Sequence, residues 1–241
     1  MVRLPRLLFG VAVGATVVIL VGAKPASACG SHGYSYAGVT APTYAFGISA
    51  TVTPLDAFDI LNGHVAGWVG VGGPGEGPNG TDEWLEVGLS GFPGVKGSDV
   101  YYEVALPNRN PTYHQLAANI PVGRAVRVAV VEMHGRPDWW RVWLNGHGAS
   151  RPIRLPGSYL RWNPIATAEG WDGGSGGACN TFLYRFRRVL VAHAPGGGWR
   201  PLTGGAPITS RVTRIRRSPR GSAFLAAEGA AAFRLLDLLN P

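Results

Sequence analysis

Two glutamates, Glu86 and Glu169, stand in stretches that otherwise have the pattern of apolar strands. Glu86 lies in the segment 82–88 and Glu169 in the segment 165–171, and each segment also carries a tryptophan. A carboxylate among apolar and aromatic side chains is costly unless it is paired or faces a groove. The two side chains could therefore meet across one sheet.

Such a pair of carboxyl groups can perform acid–base chemistry. Hydrolysis requires one group that activates water and another that stabilises the negative charge developing on the attacked oxygen. Two close carboxyl groups can share one proton, so their pKa values separate and activity is confined to acid pH. Glycoside hydrolysis also uses two carboxyl groups. A non-catalytic module that binds glycan or peptide could use the same acids as ligand contacts, so these alternatives stay open.

The elements that must position these residues are short strands. The chain has 241 residues, with 36 glycines and 19 prolines, and turn residues separate stretches in which apolar side chains alternate. The pattern predicts strands at 45–53, 64–71, 83–90, 99–106, 113–117, 126–133, 139–144, 164–169 and 182–192. Many short strands and no helix before residue 220 indicate an all-β fold, an antiparallel β-sandwich of the concanavalin-like or jelly-roll-like type.

One predicted strand is unusually rich in tryptophan. The strands 126–133 and 139–144 are expected to form a β-hairpin, and the second carries Trp139, Trp140 and Trp143. Side chains alternate across a strand, so Trp139 and Trp143 share one face and Trp140 lies on the other. One face is expected to pack in the core, and the other could form a platform on which sugars or peptide side chains stack.

Charge is concentrated at the two ends of the chain. The formal net charge is +8, of which residues 1–28 contribute +3 and residues 200–241 contribute +5, leaving a neutral body. Because the body is neutral, the composition gives no reason to expect a nucleic-acid partner. We expect one β-sandwich domain at 29–202, followed by a basic, flexible tail at 203–241 that contains a short helix.

The N-terminal segment has the three parts of a secretory signal peptide. Arg3 and Arg6 precede an apolar run at 7–23, and Ala26-Ser27-Ala28 fits a cleavage site. We therefore expect residues 1–28 to be removed on export. The mature protein would be a secreted monomer without stable membrane insertion that meets an extracellular polypeptide or glycan. An uncleaved membrane anchor is the alternative.

The sequence contains two cysteines, Cys29 and Cys179. An even number in an exported chain favours a disulfide, so we predict a Cys29–Cys179 bond. Closing a loop of about 150 residues is expected to stabilise the fold by roughly 4–5 kcal/mol in the chain-entropy model. The histidines show no metal-ligand spacing, so no metal and no other cofactor is expected.

Several short motifs resemble, in their order along the chain, those of the glutamic peptidases, or eqolisins. The matching stretches, within residues 46–172, are Trp68-Val69-Gly70, Trp84-Leu85-Glu86-Val87-Gly88, Tyr102-Glu103 with Pro107, and Ala168-Glu169. That family consists of secreted acid endopeptidases with an antiparallel β-sandwich and a catalytic Gln–Glu dyad. The resemblance implies that Glu86 and Glu169 are catalytic, with Glu169 activating water, and that Trp68, Tyr102 and Trp171 contact the substrate. It also implies that Glu86 and Glu169 project from neighbouring strands onto the same concave face of one sheet.

This chain departs from the family pattern at three positions. The catalytic glutamine of the family falls on Glu86, the aspartate that follows Trp-Val-Gly-x falls on Gly72, and Gly170 separates Glu169 from Trp171. A glutamine amide donates a hydrogen bond at any pH, whereas a glutamate donates only while it is protonated. The resemblance therefore implies an endopeptidase whose pH range is narrower and confined to acid.

Overall fold

The computed structural model describes residues 33–175, 179–219 and 221–241. The expected signal peptide at 1–28 and Cys29 lie outside the described residues, so the export signal and the Cys29–Cys179 bond stay predictions. Within the described ranges, no helix is long and apolar enough to cross a membrane.

The described chain forms two β-sheets that pack face to face, and the strand pairings in both are antiparallel. Helix α1 (Ala230–Leu238) follows the last strand. The strands are β1 (Tyr34–Thr40), β2 (Gly47–Pro54), β3 (His64–Gly73), β4 (Glu83–Gly91), β5 (Ser98–Ala105), β6 (Thr112–Ile120), β7 (Val126–Glu132), β8 (Trp139–Leu144), β9 (His147–Gly148), β10 (Ile153–Arg154), β11 (Ile165–Trp171), β12 (Phe182–Ala194), β13 (Gly197–Pro201), β14 (Ala206–Thr209), β15 (Thr213–Arg217) and β16 (Phe224–Glu228).

The first sheet has the strand order β14-β1-β11-β3-β4-β5-β6. The second sheet has the order β10-β8-β7-β2-β12-β16-β15, with β9 paired to β8 and β13 paired to β12. Glycines and small residues in β3, β4 and β11 let these central strands lie close to large neighbours. The candidate glutamates thus belong to the first sheet, on β4 and β11.

Alternate side chains of both sheets fill the space between them. The first sheet contributes mainly valine, leucine and alanine, and the second adds aromatic rings such as Phe182, Phe186 and Phe224, all of them buried. Burying this apolar surface is the main driving force for the sandwich. Because the core takes one side of the central strands of the first sheet, the side chains on their other side face outward and are available for a binding surface.

The predicted antiparallel sandwich is confirmed. Each of the nine predicted strands is present, with ends that agree within three residues. The predicted hairpin is the β7–β8 pair. Strand β1 was absent from the prediction because Ser35, Ala37 and Gly38 give it no apolar alternation, yet it pairs with β11 along its whole length.

The C-terminal part of the described chain is built into the sandwich. Strand β14 pairs with β1 in the first sheet, and β15 and β16 extend the second sheet. Helix α1 packs Ala232 and Leu236 against Leu183 and Leu225 of that sheet. Residue 202 is therefore not the boundary of the sandwich, and the flexible tail predicted at 203–241 differs from the structure. The alanine- and leucine-rich part of the segment 203–241 suits a buried strand as well as a helix, which explains why the prediction and the structure differ there.

Candidate active site

A groove of about 930 Å³ lies on the outer face of the first sheet. Its floor consists of the side chains on β11, β3, β4 and β5 that alternate with the core residues. Both candidate glutamates line it. Most of the remaining lining is aromatic or aliphatic, including Tyr36, Trp68, Trp84, Phe92, Tyr113 and Ile165. Concave sites with a few polar groups on a largely apolar surface are typical of ligand pockets.

Glu169 is held through both of its carboxylate oxygens. Nε2 of His64 lies 3.1 Å from Oε1, and the indole N–H of Trp68 donates to Oε2 at 3.2 Å. Both partners belong to β3, which pairs with β11 so that their side chains share the outer face. When His64 is protonated, its contact with Glu169 is an ion pair. The two contacts fix the plane of the carboxylate and leave each oxygen further capacity to accept a proton or a hydrogen bond.

Glu86 lies in a different environment. The hydroxyl of Tyr101 donates to Oε1 of Glu86 at 2.6 Å. Burial raises the pKa of the Glu86 carboxyl well above its usual range, and the negative charges of Glu169 and Glu103 raise it further, while the hydrogen bond from Tyr101 lowers it. Burial and nearby negative charge both disfavour the ionised form. Glu86 therefore keeps its proton to a higher pH than an exposed glutamate.

Strand β3 lies between the strands that carry the two glutamates, so they do not project from neighbouring strands as expected. The register aligns Glu169 with Ala66 and Glu86 with Gly70, which puts the glutamates diagonally across β3 on one face. Trp68 occupies the position between Ala66 and Gly70. Both carboxyl groups line the same groove, where the negative charge of Glu169 raises the pKa of Glu86.

A third carboxyl group, Glu103, belongs to the same groove. It lies on β5 directly opposite Glu86 on β4. Burial and the charge of Glu169 raise its pKa, and His64 and a hydrogen bond from the Trp84 side chain lower it. Glu103 belongs to one of the motifs that resemble the family, but that resemblance implies no role for it. Its spacing of two from Tyr101 on a strand was the signal that could have identified it, because such residues share a face.

The described residues that line the groove include no arginine or lysine. The carboxyl groups are therefore not neutralised by a basic partner other than His64. Each retains the capacity to exchange protons with a ligand, which argues against a purely structural ion-pair role for Glu86 and Glu169.

The three residues expected to contact the substrate have different positions. Trp68 lines the groove, as expected for such a role. Tyr102 lies on the opposite face of β5, where it packs against the core and stacks on His114, so Tyr101 takes its place in the groove. Trp171 is outside the lining itself and lies beside it on the same face of β11 as Glu169, where its ring contacts those of Tyr34 and His64 at 5.9 and 5.4 Å between centroids.

Two glycines explain why the family pattern is broken here. A Cβ atom at Gly72 would lie 2.3 Å from the carbonyl oxygen of Glu83, and the backbone there has φ of +80°, so an aspartate does not fit. A Cβ atom at Gly170 would lie 2.7 Å from Oε2 of Glu228, a buried acid of the second sheet. The way this chain packs therefore favours glycine at both positions.

No protein-family model matches the sequence, and no curated protein sequence matches it. Solved structures do match the fold. Scytalido-glutamic peptidase with a peptide-based transition state analog aligns with a TM-score of 0.55 at 15% identity, and a second structure of that peptidase, with a transition state analog inhibitor, gives 0.53 at 14%. SCP-B, a member of the eqolisin family in complex with the tripeptide Ala-Ile-His, gives 0.51 at 14%. Each alignment covers 83% of this chain and 100% of the other.

The chain therefore has a fold that resembles the glutamic peptidase sandwich. At about 15% identity the likeness concerns the backbone. Function depends on the site that a fold carries, so it must be argued from the groove and its carboxyl groups.

Proposed function

We propose that this protein is an exported, acid-acting endopeptidase in which Glu169 is the general base and Glu86 the hydrogen-bond donor. The observation that carries the proposal is the pair of glutamates in one groove, held in unlike environments. Pairs of titratable groups whose surroundings separate their proton affinities are the usual basis for assigning acid and base roles.

Glu169 would activate the attacking water. A water molecule that donates to one of its oxygens loses a proton to the carboxylate as the water oxygen attacks the peptide carbonyl carbon. His64 and Trp68 hold the carboxylate in place during this transfer. The protonated Glu169 then returns the proton to the leaving amine nitrogen as the carbon–nitrogen bond breaks, which restores the carboxylate and releases an acid and an amine.

Glu86 would stabilise the negative charge on the carbonyl oxygen. Because Tyr101 already donates to Oε1, the proton of a neutral Glu86 is expected on Oε2, which is free to donate. A preorganised donor at the developing oxyanion is typically worth a factor of about 10²–10³ in rate. The raised pKa of Glu86 lets a glutamate do what the glutamine amide does in the peptidases that this chain resembles.

The lining of the groove suits a polypeptide. The aromatic and aliphatic side chains around the carboxyl groups offer apolar contacts for side chains on both sides of a cleaved bond. SCP-B holds a tripeptide and scytalido-glutamic peptidase a peptide-based analog on the same fold, which supports a peptide as the ligand.

The test is a digestion of an unfolded protein and of neutral and acidic polysaccharides by the purified protein, from pH 3 to pH 7. We expect new peptide termini by mass spectrometry at acid pH. The substitution Glu169→Gln should reduce peptide cleavage by at least about a hundredfold. The exposed Glu76→Gln, outside the groove, is the matched control and should cleave like the wild type.

Other outcomes would identify a different function. Release of reducing sugars, with loss in both Glu86→Gln and Glu169→Gln, would show a glycoside hydrolase. A protein that cleaves neither substrate class and is retained on a glycan or peptide column would be a binding module. Either result would reject the peptidase.

A further inference from the structure

The outer face of the second sheet carries the tryptophans that the active site leaves unused. On β8, Trp140 is buried in the core, where its indole N–H donates to Oγ of Ser158 at 2.8 Å. Trp139 and Trp143 lie on the opposite, outer face and are partly exposed. Of the two sets of tryptophans expected from the sequence, the outer one is therefore available to a ligand.

Small side chains make a trough beside Trp143. In the register of the sheet, Ser49 of β2 and Ala129 of β7 lie in one row between Leu190 of β12 and Trp143. The hairpin of β12 and β13 brings Trp199 to the other side. The result is a groove of about 440 Å³ with Trp143 and Trp199 both in its lining.

The groove has an excess of positive charge. Arg127 and Arg141 line it, and no carboxylate of the described residues lies within ion-pair distance of either. Arg141 donates to the carbonyl oxygen of Ser150 and stacks over the Trp143 ring, with Cζ 5.6 Å from the ring centroid. Glu132 is the acid in the lining, and burial raises its pKa, which favours its neutral form.

We propose that this groove binds an acidic oligosaccharide, one whose sugar rings carry carboxylates, as uronic acids do. Indole faces accept the apolar faces of sugar rings, and guanidinium groups form strong, directional hydrogen bonds to carboxylates. This site is on the other sheet from the candidate active site and does not depend on it.

The floor of the groove favours a sugar over a peptide. Peptides that bind to sheets typically pair their backbone with an exposed strand edge. Here the floor is made by β2 and β7, interior strands whose backbone groups are already paired on both sides. A ligand can therefore contact only the ring faces and the charged side chains of the groove, and an acidic glycan suits such contacts.

The test is calorimetric titration of the purified protein with a galacturonic acid tetramer, a neutral galactose tetramer and a tetraglutamate peptide. We expect the acidic sugar to bind at least about tenfold more tightly than either of the others. Trp199→Ala and Arg127→Gln should each weaken its binding about tenfold, the loss expected for one stacking or charged contact. Tyr159→Ala and Arg151→Gln change exposed residues outside the groove and should bind normally, as should Glu169→Gln.

Several results would overturn this proposal. These are no binding of the acidic tetramer at millimolar concentration, equal binding of the neutral tetramer, or equal binding of tetraglutamate. Binding that survives both groove substitutions unchanged, or that is lost in Glu169→Gln, would place the glycan elsewhere on the protein.

Discussion

The sandwich should be more stable in acid than at neutral pH, because two glutamates are buried in it and neither forms an ion pair with another described residue. Glu83 is 0% exposed and Glu228 is 1% exposed. Glu83 accepts the backbone N–H of Gly157 through Oε2, and Ser35 contacts Oε2 of Glu228. In both residues Oε1 is buried and has no hydrogen-bond partner among the described residues.

An ionised carboxylate in either position would leave one charged oxygen unsolvated, so folding favours the protonated form. Burial raises the pKa of each from 4.5 to about 7. A difference of 2.5 pH units between the folded and unfolded states corresponds to about 3 kcal/mol for each group. Since the folded state binds the proton more tightly, this contribution is fully present below pH 4.5 and is lost as the pH rises through 7.

The perturbation is Glu228→Gln, which cannot ionise. Urea unfolding of the wild type at intervals from pH 4 to pH 8.5 should show the free energy of unfolding falling by several kcal/mol toward neutral pH. In the variant the fall should be smaller by about 3 kcal/mol. The comparison uses the change in the free energy of unfolding with pH. A loss of stability that is the same at every pH therefore does not affect it.

The exposed Glu76→Gln is the matched control and should keep the slope of the wild type. A free energy of unfolding that stays constant or rises from pH 4.5 to pH 8 would refute the reasoning. So would an unchanged slope in Glu228→Gln.

Three further predictions concern the active site and the cysteines. Mass mapping of the exported protein without reduction should find Cys29 joined to Cys179, and two alkylatable thiols would contradict this. Glu103→Gln removes the charge opposite Glu86, so the pH at which peptidase activity declines should fall; a rise would be inconsistent with the proposed role of Glu86. Tyr101→Phe removes the hydrogen bond that lowers the pKa of Glu86, so this pH should rise while the maximal rate falls; an unchanged profile would exclude a role for Tyr101.

The strands and the sandwich could be predicted from the sequence because each strand alternates on its own. In β3 and β4, the alternation of side-chain types along the strand is enough to predict which side chains face the core. The order of strands in a sheet is a property of the whole chain, which explains why β3 was not expected between Glu86 and Glu169. The positions of β14, β15 and β16 in the two sheets also depend on pairing between strands, which the local sequence does not show.

The candidate site could be predicted in part. The pattern indicates the two glutamates, because a carboxylate beside an aromatic residue is unusual in a strand. Trp68 follows from the family resemblance. The Tyr102-Glu103 motif predicts that Tyr102 contacts the substrate. Because Tyr102 is adjacent to Glu103 on β5, its side chain lies on the face opposite the groove. The partners His64 and Tyr101 meet the glutamates only through strand pairing, which local sequence does not show.

The pH dependence of peptide cleavage by the wild type and by Glu86→Gln tests the central claim most directly. If a protonated Glu86 stabilises the oxyanion, the wild type should lose activity as the pH rises through the pKa of Glu86, and the amide of the variant should donate at every pH. We predict that Glu86→Gln remains active and that its activity extends to higher pH than that of the wild type. An inactive Glu86→Gln variant that is folded, or one with the same decline at high pH as the wild type, would contradict the account.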